Sequence, residues 1–179
     1  IHADYLVHGM TLMIEDNIQY VELRTRFAND LYDTLQISQP TLIDDYVDIL
    51  EEVDRRVKQL DEDFDFSIIH SGLRFKSRAM IETEMEQAFA FKKRHPKWIR
   101  GFDLVAEEDN GNSTLYHAPI FLKLDSLEKA DKTSLPLYLH DGESNWMSTA
   151  NLYDAILLDT KRIGHGFNLF RFPHLIDLV

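Results

Sequence analysis

Leu135-Pro136-Leu137-Tyr138-Leu139-His140-Asp141-Gly142-Glu143 is the stretch whose reading decides the fold. A strand-length run of apolar-leaning residues stops at a histidine, a glycine and two carboxylates. Twenty-five positions after His140, Arg162-Ile163-Gly164-His165-Gly166 repeats the arrangement with a second histidine. A neutral imidazole at a strand end is a good metal ligand. A carboxyl group three residues on, Glu143, can hold or deliver a proton. His165 could be a base or polarise a bound water. On the residues alone, His140 could also be a buried histidine hydrogen-bonded to a neighbour, and His165 a loop histidine.

Outward from this stretch, strand-like and helix-like segments alternate. Strands are expected at about residues 18–24, 64–73, 99–105, 135–140 and 161–164. Between them, Tyr5–Glu15 has a helical period. So does a long segment from Thr41, with Leu42, Tyr46, Leu50, Val53, Val57 and Leu60 spaced by three and four. Thr41 is the expected N-cap, with Asp44 and Asp45 in the first turn. Ser77 is expected to cap a helix to about Arg94, with Met80, Met85, Ala88 and Phe89 facing inward. Further helices are expected from about Pro119 to Leu127, over Leu152–Leu158 and from Pro173. This alternation predicts right-handed βαβ units and a parallel sheet. Periodicity allows either a three-layer open sheet or part of a (β/α)8 barrel.

Polar residues gather at the predicted carboxyl ends of the strands, where parallel α/β folds place their sites. They are Glu22 and Arg24, then His70, then Asp103, Glu107 and Glu108, then His140 and Glu143, then His165. His70 reads as core or as support for a site. His117 reads as a solvent-facing loop residue and His95 as an exposed helix end. Trp98 and Trp146 read as core or pocket wall. The acidic runs Asp61–Asp63 and Glu107–Asp109 read as solvated loops.

The 179 residues suffice for one domain with a real core. A net charge of −12 argues against a general nucleic-acid binder, which needs a basic footprint. No apolar run approaches the ~18 residues of a membrane span. The first residues lack the pattern of a signal segment, which points to the cytoplasm. With no cysteine, any metal must use histidine and carboxylate ligands.

Four motifs in order resemble the adenosine deaminase family. They are Asn17-Ile18-Gln19-Tyr20-Val21-Glu22-Leu23-Arg24, Gly101-Phe102-Asp103-Leu104-Val105, His140-Asp141-Gly142-Glu143-Ser144-Asn145-Trp146 and Arg162-Ile163-Gly164-His165-Gly166-Phe167. Within that family the chain is similar to the adenosine deaminase-related growth factors, which are often secreted. The resemblance implies a (β/α)8 metal-dependent hydrolase that uses zinc to deaminate adenosine and deoxyadenosine. His140 would be a zinc ligand, Glu143 the proton donor to the purine ring, and His165 the histidine beside the attacking water. Glu22 would meet the ribose and Ala106 the purine. The implied partner is a purine nucleoside, with no nucleic acid or membrane involved; a homo-oligomer is allowed.

Four departures accompany the resemblance. Asp141 stands where the family usually has alanine, and Ala106 where it usually has glycine. The family's first-strand His-x-His pair and last-strand aspartates are not found in these 179 residues. The chain is therefore expected to be a fragment carrying strands two to six of eight, inactive by itself. A related purine or aminated-base deaminase and an inactive binding fragment are the alternatives.

Overall fold

The computed structural model describes residues 2–26, 45–144 and 150–178. Along the chain come α1 (His2–Glu15), β1 (Tyr20–Thr25), α2 (Asp45–Val57), β2 (Asp65–Leu73), α3 (Arg78–Arg94), β3 (Ile99–Val105) and α4 (Thr114–Asp131). They are followed by β4 (His140–Asp141), α5 (Asn151–Leu157), β5 (Gly164–His165), a 3-10 turn Phe167–Arg171, and α6 (Pro173–Ile176). Thr41 and Asp44, the expected cap and first turn of α2, lie outside the described residues, as does Trp146.

β1, β2 and β3 form one parallel ladder in chain order, and β4 and β5 form another. A parallel bridge from Phe102 to Leu137 joins the two. Neighbours in space therefore follow neighbours in sequence without reversal. A doubly wound open sheet reverses its strand order at a switch point, whereas a (β/α)8 barrel does not. Of the two arrangements left open by periodicity, the strand order selects the barrel segment.

The core lies between the strands and the helices. β2 is buried along most of its length, as a central parallel strand must be. α2 presents Val47, Leu50, Val53 and Val57 at helical spacing, and Val53 is fully buried. In α3, Ser77 accepts the Met80 N–H at 3.4 Å as N-cap, and Ile81, Met85, Ala88, Phe89 and Phe91 are buried. Met80, expected to face inward, is half exposed, and Ile81 takes the inward place. Trp98 packs against Phe66 with ring centroids 5.5 Å apart, in the core as expected.

Two boundaries differ from expectation. The run Leu135–Leu139 is extended, but the β4 ladder covers His140 and Asp141 alone. Pro136 has no N–H to donate; its carbonyl accepts from Phe102 at 2.9 Å, and Tyr138 donates back to Phe102 at 2.9 Å. α4 begins at Thr114 and not near Pro119, because Ser113 caps it by accepting the Tyr116 N–H at 3.1 Å. The earlier start moves His117 from the expected solvent-facing loop into the helix. There it is fully buried, with Nε2 3.1 Å from the Arg74 carbonyl.

Candidate active site

His140 is aimed by Asp103. This aspartate is fully buried on β3, next to β4 across the Phe102–Leu137 bridge. Its Oδ1 accepts the His140 backbone N–H at 3.0 Å, and its Oδ2 lies 2.5 Å from the ring Nδ1. Arg24, at the carboxyl end of β1, donates to the same Oδ2 at 2.8 Å. The imidazole is thus fixed at one nitrogen, with Nε2 left for another partner. A methyl group on Gly164 would come within 2.9–3.1 Å of this ring, so a side chain there would displace His140.

His165 follows at the end of β5 in a left-handed conformation, φ +64°. Non-glycine residues occupy that region at a cost of order 1–3 kcal/mol, and such strain gathers at functional sites. Its ring lies edge-on to that of His140, with centroids 5.1 Å apart. Its Nε2 is 3.1 Å from Glu143 Oε2. The structure therefore brings His140, Glu143 and His165 together. They line a pocket of about 550 Å³ with Ala106, Glu107, Glu108 and Asp109, a size suited to a small ligand.

Ala106 meets the pocket with φ +85°. A glycine would take this conformation without penalty, so the alanine methyl is carried at a backbone position that disfavours it. Glu22 lies elsewhere. It pairs with Arg162, and Arg100 Nε is 3.8 Å from its Oε1. Those arginines sit near the amino ends of β5 and β3, the opposite end of the strands from His140.

Glu108, at the edge of the pocket, and Asp141, outside its lining, are both buried and held by hydrogen bonds within the protein. Glu108, expected in a solvated run, is 3% exposed. Burial alone would raise its pKa, but hydrogen bonds from Gly142, Asn151 and Ser144 and the charge of Arg74 outweigh it and hold the carboxyl below its usual value. Asp141 points away from the pocket, toward fully buried Arg74 at 3.0 Å and the Thr114 hydroxyl at 2.8 Å. Burial pushes its carboxyl up to about 7, against the pull of Arg74 and Thr114. Arg74 also donates to the His140 carbonyl.

A strand-end reading of the sequence did not assign roles to Asp103, Arg74 or Glu108. Asp103 did carry a signal. It stands between Phe102 and Leu104 inside a strand, and a charge in such a place is buried only with partners. For Arg74 and Glu108 no comparable local signal exists.

Sequence relatives were found along the whole chain. Adenosine deaminase 2 of Dictyostelium discoideum is 34% identical over 183 residues, covering 100% of this chain and 33% of that protein. Adenosine deaminase 2 of Homo sapiens is 31% identical over 178 residues, covering 97% of this chain and 33% of that protein. The chain belongs to the adenosine deaminase family. It spans about a third of the length of these curated relatives. No protein-family model matches it. Among solved structures, a Zn-bound amidohydrolase from Burkhoderia ambifaria superposes with a TM-score of 0.70 at 18% identity, covering 97% of this chain and 44% of that one. An adenine deaminase from Arthrobacter aurescens gives 0.68 at 15% identity, covering 94% and 46%. At these identities the structures speak for the fold alone, which is that of part of a (β/α)8 barrel.

Among the described residues, His140, which lines the pocket, could offer its Nε2 to a metal. The Asp103–His140 pair is a carboxylate–imidazole arrangement of the kind that orients a metal-ligating histidine. Among the described residues, no group of three or more His, Cys, Asp or Glu side chains could hold a metal. Nor is any described helix long and apolar enough to cross a membrane.

Proposed function

We propose that the full-length protein is a zinc-dependent hydrolase that converts adenosine and deoxyadenosine to the corresponding inosines and ammonia. The observation carrying this reading is the convergence of His140, Glu143 and His165 on one pocket, with His140 aimed by buried Asp103. We infer that the chain supplies strands two to six of the eight-stranded barrel. The remaining zinc ligands would come from the rest of the protein.

His140 would hold the metal through Nε2. Bound zinc lowers the pKa of water from about 15.7 to about 7 and so supplies a nucleophile at neutral pH. Glu143 donates a proton to purine N1 as oxygen adds to C6, drawing electrons into the ring. His165 orients the attacking water and stabilises the developing charge. The proton released by the water passes through His165 to the C6 amino group, which leaves as ammonia, and the proton left on the added oxygen returns to Glu143 as the C6 carbonyl of inosine forms. Glu22, tied to Arg162 and Arg100, would act on the substrate only indirectly, by ordering the barrel interior.

Ala106 favours a second reading, in which another aminated purine is the substrate. Its methyl enters the pocket from a strained backbone position. Assay of the zinc-loaded full-length protein on adenosine, deoxyadenosine and adenine separates the two. Adenosine turnover that falls about 10²–10⁴-fold in Glu143→Gln supports the first. Turnover of adenine with inertness toward adenosine supports the second. Full adenosine activity in Glu143→Gln would exclude Glu143 as the proton donor.

A further inference from the structure

We propose that Glu108 is a positioning residue of this site: its buried carboxylate clamps the backbone of Gly142, Glu143 and Ser144 and so holds the Glu143 side chain against His165. The inference rests on the reading of Glu143 as proton donor.

Four donors meet this one carboxylate. Oε1 accepts the Gly142 N–H at 3.0 Å and the Asn151 side-chain amide at 2.9 Å. Oε2 accepts the N–H groups of Glu143 at 2.9 Å and Ser144 at 3.1 Å. Three successive N–H groups converging on an anion form a nest. Gly142, at φ +78°, supplies the left-handed residue that turns them to one side. The nest is filled by the protein's own carboxylate, so it is not an anion site for substrate. Hydrogen bonds to an ionised acceptor are roughly twice as strong as neutral ones, and all four partners donate to a charge.

The clamp acts where it matters for Glu143. The Glu143 N–H points to Glu108 while its own carboxylate reaches His165 at 3.1 Å. Two residues earlier, Asp141 is bound by Arg74 and Thr114. Asn151 extends the hold by accepting the Thr114 N–H at 2.9 Å, which joins the start of α5 to that of α4. Release of Glu108 would free Glu143 and leave His140 bound to Asp103.

The test compares Glu108→Gln, Glu143→Gln and the double variant in the full-length, zinc-loaded protein. Glu108→Gln would turn an amide group toward N–H donors. Displacement of a catalytic group by about 1 Å costs about 100-fold. We therefore expect kcat to fall about 100-fold in Glu108→Gln, with KM and zinc content little changed. The double variant should be no slower than Glu143→Gln alone, because Glu108 acts through Glu143. Wild-type kcat in Glu108→Gln, or additive losses in the double variant, would overturn the proposal. Glu108→Asp, one methylene shorter and still charged, takes the same measurements if Glu108→Gln does not fold.

Amide exchange gives a readout independent of turnover. The N–H groups of Gly142, Glu143 and Ser144 should exchange at least about 10-fold faster in Glu108→Gln. Unchanged protection would overturn the clamp even in an active enzyme. Faster exchange in a protein that deaminates no purine would leave the clamp standing and bring down the proposed function instead.

Discussion

Two buried aspartates flank His140, each paired with an arginine, and they do different work. Asp103 reaches it from β3 and grips both its backbone N–H and its ring. Asp141 is the next residue in the chain, yet its side chain turns away toward Arg74 and Thr114. One carboxylate aims a side chain; the other anchors a strand end. The alternation of side chains along an extended backbone causes the split. The difference shows that an acidic residue beside a candidate metal-binding histidine is not for that reason part of the site.

The largest effect should come from Asp103→Ala. It removes the acceptor of a buried N–H, at about 1–3 kcal/mol of stability. It also removes the group that orients His140, which should cost about 10–100-fold in zinc affinity in the full-length protein. Calorimetric unfolding and competition with a zinc chelator measure the two. Intact zinc affinity would erase the distinction between the aspartates.

Asp141→Ala should destabilise the fold by about 1.5–3 kcal/mol, the range for hydrogen bonds to charged groups. The loss stays below that of an uncompensated buried charge because Arg74 keeps the carbonyls of His140 and Asn112. Because burial pushes this carboxyl up to about 7, its ionised form is disfavoured in the folded state and its contribution falls as pH rises through 7; denaturant unfolding at about pH 5 and pH 8 checks this, with the smaller loss expected at pH 8. Zinc affinity should stay within about threefold of wild type, in contrast with Asp103→Ala.

His70 sharpens the contrast from the other side. Burial first, then the charges of Arg26 and Lys76, push its pKa down to about 3, so the native protein holds it neutral. The unfolded chain binds a proton there below about pH 6.5. Stability from this group is thus present above pH 6.5 and is lost as pH falls toward 3, by up to about 1.4 kcal/mol per pH unit. Replacing His70 with Gln should flatten the acid limb of a stability–pH profile. A profile unchanged by the substitution would show that His70 is not the group being protonated.

The smallest effect is expected at Ala106. Ala106→Gly relieves the φ +85° backbone and should stabilise the protein by about 0.5–1 kcal/mol after the entropy of glycine is counted. A small rise in Tm is the check. A lower Tm would mean that the methyl is held by packing worth more than the strain.

Much of this molecule was legible in its residues. Helical spacing in α2 and α3, the cap at Ser77 and the buried strand β2 follow from local patterns that the structure repeats. The meeting of His140, Glu143 and His165 at one pocket was legible because parallel strands deliver their last residues to one side. The length of β4 was not, because Pro136 and the carbonyls around it bond to Phe102 outside a regular ladder. The start of α4 was misplaced because Pro119 suits a first turn, yet the Ser113 cap sets the boundary. Glu108 looked like part of a hydrated acidic run, and the donors that bury it lie 34 or more residues away.

The sequence by itself determined the alternation of strands and helices, the type of residue at each strand end and, through ordered motifs, the family. These depend on neighbours within a few positions, where spacing and capping act directly. Tertiary structure alone decided which carboxylates serve the site. Asp103, Asp141, Glu108 and Glu22 are all acids near strand ends, and their roles were assigned by distant partners. Burial makes a charge costly unless donors surround it. Folding therefore selects the orientation in which each acid finds its donors, and those donors are brought together only when the strands pack side by side.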